Sequence, residues 1–153
     1  MVDLVDLTNA FVDTLQRIPE LVADLADASP ASVVAYLDEN PRRLTTSGAI
    51  YQQKPGTVLV VWREMLFNES DEMSMYQHMV EFYARAKVGG SVLKLATEIV
   101  NGTPVPGDGQ RWKLCGVMPG VLPSDILDVV RETDSEGIDY IKIITRTNEI
   151  GDA

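Results

Sequence analysis

The chain predicts an α/β (α+β) domain, in which a mixed, mainly antiparallel sheet is flanked by an N-terminal helix and by a second helix near residues 91–101. Three observations carry that expectation. Residues 57–67 (TVLVVWREMLF) and 73–86 (MSMYQHMVEFYARA) are β-rich runs joined by the short acidic stretch 68–72 (NESDE), the pattern of a hairpin. Leu4, Leu7, Phe11, Leu15, Ile18, Val22 and Leu25 recur in steps of three and four, one face of a helix. Residues 138–147 (IDYIKIITRT) alternate and are rich in β-branched side chains, a strand near the end of the chain.

The N-terminal stripe predicts a helix from Val2 or Thr8 to Arg17. Pro19 lacks an N–H and disfavours α geometry at Ile18, so the helix stops there. A second helix then starts with Pro19 in its first turn, Glu20 lying against the positive end of the dipole, and runs to Asp27. The stripe is too short for a coiled coil, and a helix laid on the sheet is the simpler reading. Residues 33–37 (VVAYL) read as a short strand, residues 38–41 as a turn, and residues 45–52 as a helical turn. Pro55-Gly56 suits the centre of a type II turn feeding the strand at Thr57.

In that strand Val58, Val60 and Trp62 fall on one face and Leu59, Val61 and Met65 on the other. A strand apolar on both sides wants cover on both faces. The run after the acidic stretch also fits helical steps through Met73, Tyr76, Val80, Tyr83 and Lys87, but its aromatics and the short polar connection favour a strand. Ser91 is placed to cap a helix whose apolar face is Val92, Leu95, Ala96, Ile99 and Val100, with Asn101-Gly102 as its stop. A Pro/Gly loop over 103–111 leads to a short strand over 112–117. Residues 126–133 pair with 138–147 as a second hairpin around an acidic turn, although Ile126, Leu127 and Val130 suit a helix as well. There is no internal repeat.

At 153 residues the chain has the length of one domain, read here as 1–153. A formal charge of −10 argues against binding nucleic acid by neutralising phosphates. Cys115 is the single cysteine and His78 the single histidine, so one subunit holds neither a disulfide nor a Cys or multi-His metal cluster. No signal-peptide pattern and no run of about 18 apolar residues occurs, which predicts a protein of a reducing compartment with no membrane span. No GxSxG, P-loop or GxGxxG after a strand is present. His78 sits in an apolar pattern and reads as a structural histidine rather than a general base. Cys115 reads as a small buried hydrophobe. The expectation is a protein that is not an enzyme and carries no cofactor and no metal. Arg42 and Arg43 are the main basic spot in an acidic half and are candidates for a contact with a neighbouring subunit. Met65, Leu66 and Phe67 form an apolar patch beside Glu69, Asp71 and Glu72, as an assembly contact would.

Four stretches carry a family resemblance: TNAFVDTLQRIPELVADL near the start, AIYQQKPGTVLVVW, LATEIVNGTPVPGDG followed by Trp112, and the finish SEGIDYIKIITRTNEIGDA. On these the chain resembles the tail terminator proteins of long-tailed bacteriophages, also described as neck or minor capsid proteins. The likeness touches most of the chain through small local similarities rather than one signature. It implies a structural, non-catalytic protein of the virion, assembled in the host cytoplasm. Six copies would form a ring on the tail tube that stops tube polymerisation and meets a head-completion or connector protein, while DNA passes through without specific binding. In that setting Glu69, Asp71 and Glu72 become candidates to face the lumen. Two further readings stand beside it: a head-closure or connector subunit of the same neck, and a small α/β enzyme or ligand-binding domain.

Overall fold

A computed structural model describes residues 1–37, 53–69, 74–104, 111–112, 118, 120–121, 124–133 and 137–150. Helix α1 spans Leu4–Gln16 and opens on Asp3, whose carboxylate accepts the backbone N–H groups of Val5 and Asp6 at 2.9 and 3.0 Å. That cap satisfies two donors with no partner inside the helix and explains why the helix starts ahead of Thr8. Helix α2, Pro19–Ala23, begins at the proline as expected but stops four residues short of Asp27. The chain instead turns into a 3₁₀ segment, Ala26–Ala28, with Asp27 and Ala28 in the left-handed region at φ 57° and 46°. The bond from Ala26 N–H to the Gly56 carbonyl at 2.9 Å draws the backbone away from the helix axis.

The sheet has the order β1-β2-β3-β7-β6, where β1 is Val33–Tyr36, β2 Thr57–Glu69, β3 Ser74–Arg85, β6 Asp125–Thr133 and β7 Asp139–Ile150. Strand β1 runs parallel to β2, and every other neighbour is antiparallel, so the mixed, mainly antiparallel sheet is present. Helix α3, Val92–Asn101, is capped by Ser91, whose hydroxyl accepts the Lys94 N–H, and ends at Gly102 with φ 78°. Two short strands, β4 (Thr103–Pro104) and β5 (Arg111–Trp112), pair beside the main sheet. Both ambiguous segments are strands, β3 and β6. Cross-strand pairing wins over helical spacing here because every inward residue of β3 finds an apolar or hydrogen-bonded partner on β2 or β7.

Among the described residues all three helices pack on one face of the sheet. Leu7, Phe11 and Leu15 of α1, Leu21 of α2, and Leu95 and Ile99 of α3 bury against Val58, Val60, Val80, Phe82, Ile141 and Ile143. The Phe11 and Phe82 rings meet at 5.7 Å in a tilted arrangement. The other face has its own smaller cluster, Leu59, Val61, Tyr83 and Tyr140, with Tyr36 against it. Thus β2 is apolar on both sides, as its sequence requires.

Two expectations about β2 and one about β7 are corrected. A bulge at Arg63 adds one residue to β2, so Met65 lies directly opposite His78 and shares the helix-bearing face with Trp62. Strict alternation had put it on the opposite side with Leu59 and Val61. Asn68 and Glu69 belong to β2, paired with Met75 and Ser74, and not to the acidic connection. Strand β7 continues three residues beyond Thr147 to Ile150, because an acid inside it, Glu149, has buried partners.

Candidate functional site

The distal half of the β2–β3 hairpin holds the apolar residues singled out from sequence. Past Val61, β2 outruns its short neighbour: β1 pairs only with Val58 to Val61. Residues Leu66 and Phe67 are 50% and 53% exposed, while Met65 is half-buried. The bulge and the pleat divide them between the faces. Met65 and Phe67 lie on the helix-bearing side, opposite His78 and Tyr76, and Leu66 lies on the other side, opposite Gln77. Phe67 keeps partial cover from the Tyr76 ring at 5.3 Å. The apolar patch is therefore two patches, back to back across one strand.

Beneath this arm runs a buried polar chain. His78 is fully buried, and its Nδ1 accepts the Trp62 Nε1–H at 3.1 Å. An indole nitrogen only donates, so Nδ1 carries the lone pair and Nε2 the proton. The Nε2–H donates to Glu149 Oε2 at 2.8 Å, and Glu149 Oε1 accepts the Val2 N–H at 2.6 Å. Thr147 meets Ser124 through hydroxyls 2.5 Å apart, and the Thr145 hydroxyl donates to the Val80 carbonyl at 2.8 Å. A general base needs a free lone pair within reach of substrate. His78 has both ring nitrogens engaged and no exposed surface, so this chain joins the sheet to the segment before α1 and offers no proton-transfer site. Sequence reading placed His78 correctly as structural but missed Trp62 and Glu149. The signal for Trp62 was its place near His78 across the hairpin. Glu149 lay beyond the predicted end of the strand and gave none.

On the opposite face Arg63 Nε and the Tyr83 hydroxyl both donate to Glu81 Oε1, each at 3.0 Å. Burial first, and then the Glu81 carboxylate, hold the Tyr83 phenol well above its ordinary range. The Tyr140 hydroxyl donates to Glu132, which also lies 3.6 Å from Lys142 Nζ. Arg146 pairs with Asp125 at 3.1 Å.

Between α2 and α3 sits a carboxyl pair. Burial, followed by a hydrogen bond to Asp24 and its charge, pushes Glu98 up to about 8. Asp24 is lowered chiefly by that same hydrogen bond, with Lys94 Nζ at 3.1 Å adding to it. Of the two carboxyls, Glu98 is the one pushed toward its protonated form and Asp24 the one held ionised. A groove of about 710 Å³ lies elsewhere, lined by Val34, Tyr36, Gln53 and Leu59 among others, and Glu98 does not border it.

Of the other residues predicted from sequence, Arg42, Arg43, Asp71, Glu72 and Cys115 lie outside the described residues, as do the predicted turn over 45–52 and residues 113–117 of the predicted strand. Glu69 is placed as the last residue of β2. Among the described residues no three His, Cys, Asp or Glu side chains are arranged to hold a metal ion. No described helix is long and apolar enough to cross a membrane. No family model matches the chain, and no curated protein matches it.

Proposed function

We propose that the protein is a structural subunit of a phage tail, a terminator that assembles as a ring on the tail tube. The observation that carries this reading is the hairpin arm, with half-exposed Leu66 and Phe67 on opposite faces of β2, which is paired with β3 on one side and has no partner beyond Val61 on the other among the described residues. Large apolar side chains held out on a rigid strand, next to acidic residues, suit a contact between proteins better than they suit solvent. The family resemblance of the sequence supports the same reading and supplies its setting: a homo-oligomer, probed as a hexamer, between tail tube protein and a head-completion or connector protein in the virion.

The acidic balance fits that setting. Six copies would carry about −60 formal charges, and carboxylates such as Glu69, Asp71 and Glu72 facing a lumen would repel DNA and let it slide. The test is to add purified protein to polymerising tail tube protein from the same phage genome. Tubes should stop at a uniform capped end, and the joint neutral variant Glu69→Gln, Asp71→Asn, Glu72→Gln should still cap tubes while slowing DNA ejection from assembled particles. Tubes that grow on regardless would refute the terminator reading. Binding to the portal side alone would favour a head-closure subunit, the alternative with the same length and acidity.

A further inference from the structure

Among the described residues the five-stranded sheet has two edges without a neighbouring strand, and they lie at its opposite ends. At the β6 end, the outer edge of Asp125–Thr133 has no strand beside it among the described residues. At the other end, β1 covers only the first part of β2, so among the described residues the edge of β2 beyond Val61 has no neighbour either. Unpaired edges of this length are templates for another strand unless something blunts them. Neither edge carries proline or lysine (residues 62–69 read WREMLFNE and 125–133 read DILDVVRET), but each carries a bulge, at Arg63 and at Leu127, and the Val129 N–H donates to Asp128 Oδ1 at 2.9 Å, a bond that a pairing strand has to compete with or leave in place. Both expose apolar side chains, Leu66 and Phe67 on one edge and Leu127 and Val129, 46% and 41% exposed, on the other.

We infer that copies of this chain join head to tail by strand addition, the distal edge of β2 on one copy pairing with the outer edge of β6 on the next. This rests on the ring reading above and names its subunit contact. Strand direction allows it. With β2 and β3, β3 and β7, and β7 and β6 each antiparallel, β6 runs opposite to β2. A copy rotated about an axis along the strands therefore offers β6 to β2 as an antiparallel partner.

Face and register allow it as well. Directly opposed residues share a face. Val129 pairs with Ile143 and so lies on the helix-bearing side, as Phe67 does opposite Tyr76. Val130 pairs with Lys142 on the other side, where Leu66 also lies. The register that sets Phe67 against Val129 thus sets Leu66 against Val130, apolar against apolar on both faces at once. The nearest cation on β6, Arg131, is already held by Asp139 through bonds of 3.1 and 2.7 Å, so it does not oppose the contact as an unpaired charge. Because each copy uses one edge of each kind, the contact is heterologous, and it closes into a ring wherever the rotation allows.

Disulfide trapping in the full-length protein, with Cys115→Ser as background, tests this. Opposed residues of an antiparallel pair lie about 4.5–5.5 Å apart at Cα, within disulfide reach. The double variant Phe67→Cys with Val129→Cys should convert most of the monomer band into a ladder of linked multimers on mild oxidation at millimolar concentration. Each single variant should stay monomeric on the same gel, and the two singles mixed should give dimers only. Leu66→Cys with Val130→Cys should behave as the first pair does. Phe67→Lys should abolish multimers by mass while leaving the far-ultraviolet circular dichroism unchanged. Dimers from Val129→Cys alone would mean an isologous contact and overturn the proposal. Multimers by mass without trapping in either double variant would overturn this edge contact and leave the ring standing. A chain that remains monomeric throughout would overturn both.

Discussion

Single residues decide how this molecule responds to pH. Glu98 is held near 8 by burial and by its bond to Asp24, against an ordinary value of 4.5. A group whose folded value is raised binds its proton more tightly when folded. Its contribution is therefore fully present below the unfolded value and is lost as pH rises through the folded one. Asp24 acts the other way, its lowered carboxyl contributing above 3.8 and losing that as pH falls. The expected result is a urea midpoint that declines from about pH 5 to about pH 9, and a Glu98→Gln variant whose midpoint stays flat across the same range. Glutamine keeps a donor toward Asp24 without a proton to lose. An equally steep decline in the variant would show that the carboxyl pair is not its source. None of this was legible in the sequence, because Asp24 and Glu98 are 74 positions apart and meet only through the packing of α2 on α3.

At the scale of elements, local chemistry told most of the story. Ser91 and Gly102 bracket α3 with the cap and stop their types predict, and Pro19 opens α2. The Pro55-Gly56 turn is the clearest case. Gly56 has φ +73°, as the third residue of a type II turn requires, and a Cβ there would stand 2.7 Å from the Ala26 nitrogen. Gly56→Ala should cost at least about 1–2 kcal/mol from the backbone conformation alone, measured by chemical unfolding, because both the turn and the Ala26–Gly56 bond resist the added carbon. A neutral result would mean the turn relaxes freely. What sequence reading could not see were the bulges. The pleat alone divides Met65, Leu66 and Phe67 between the faces, and the extra residue at Arg63 reverses the facing of everything after it, so Met65 and Phe67 stand on the helix-bearing side and Leu66 on the other. Bulges leave little trace in a hydrophobic pattern. The end of β7 was missed for a related reason: Asn148 and Glu149 look like a polar tail until His78 is placed beside them.

For the whole molecule, the arrangement of helices matters most. Among the described residues α1, α2 and α3 lie on one side of the sheet, and β6 and the part of β2 beyond Val61 lie at its edges, which carry assembly if the proposed ring is right. The fold class and the main strand pair were legible in sequence because their periodicities are strong. The candidate site was legible only in part: Leu66 and Phe67 stand exposed, but the edge proposed to meet them, at Val129 and Val130, emerges only once β6 is placed at the end of the sheet among the described residues. The most direct measurement of the account is the native mass of the purified chain across a concentration series, alone and with tail tubes. A closed multimer of defined copy number, six on the ring reading, should form at high concentration or at tube ends; a species that stays monomeric and ignores tubes would contradict both the ring and its edge contact.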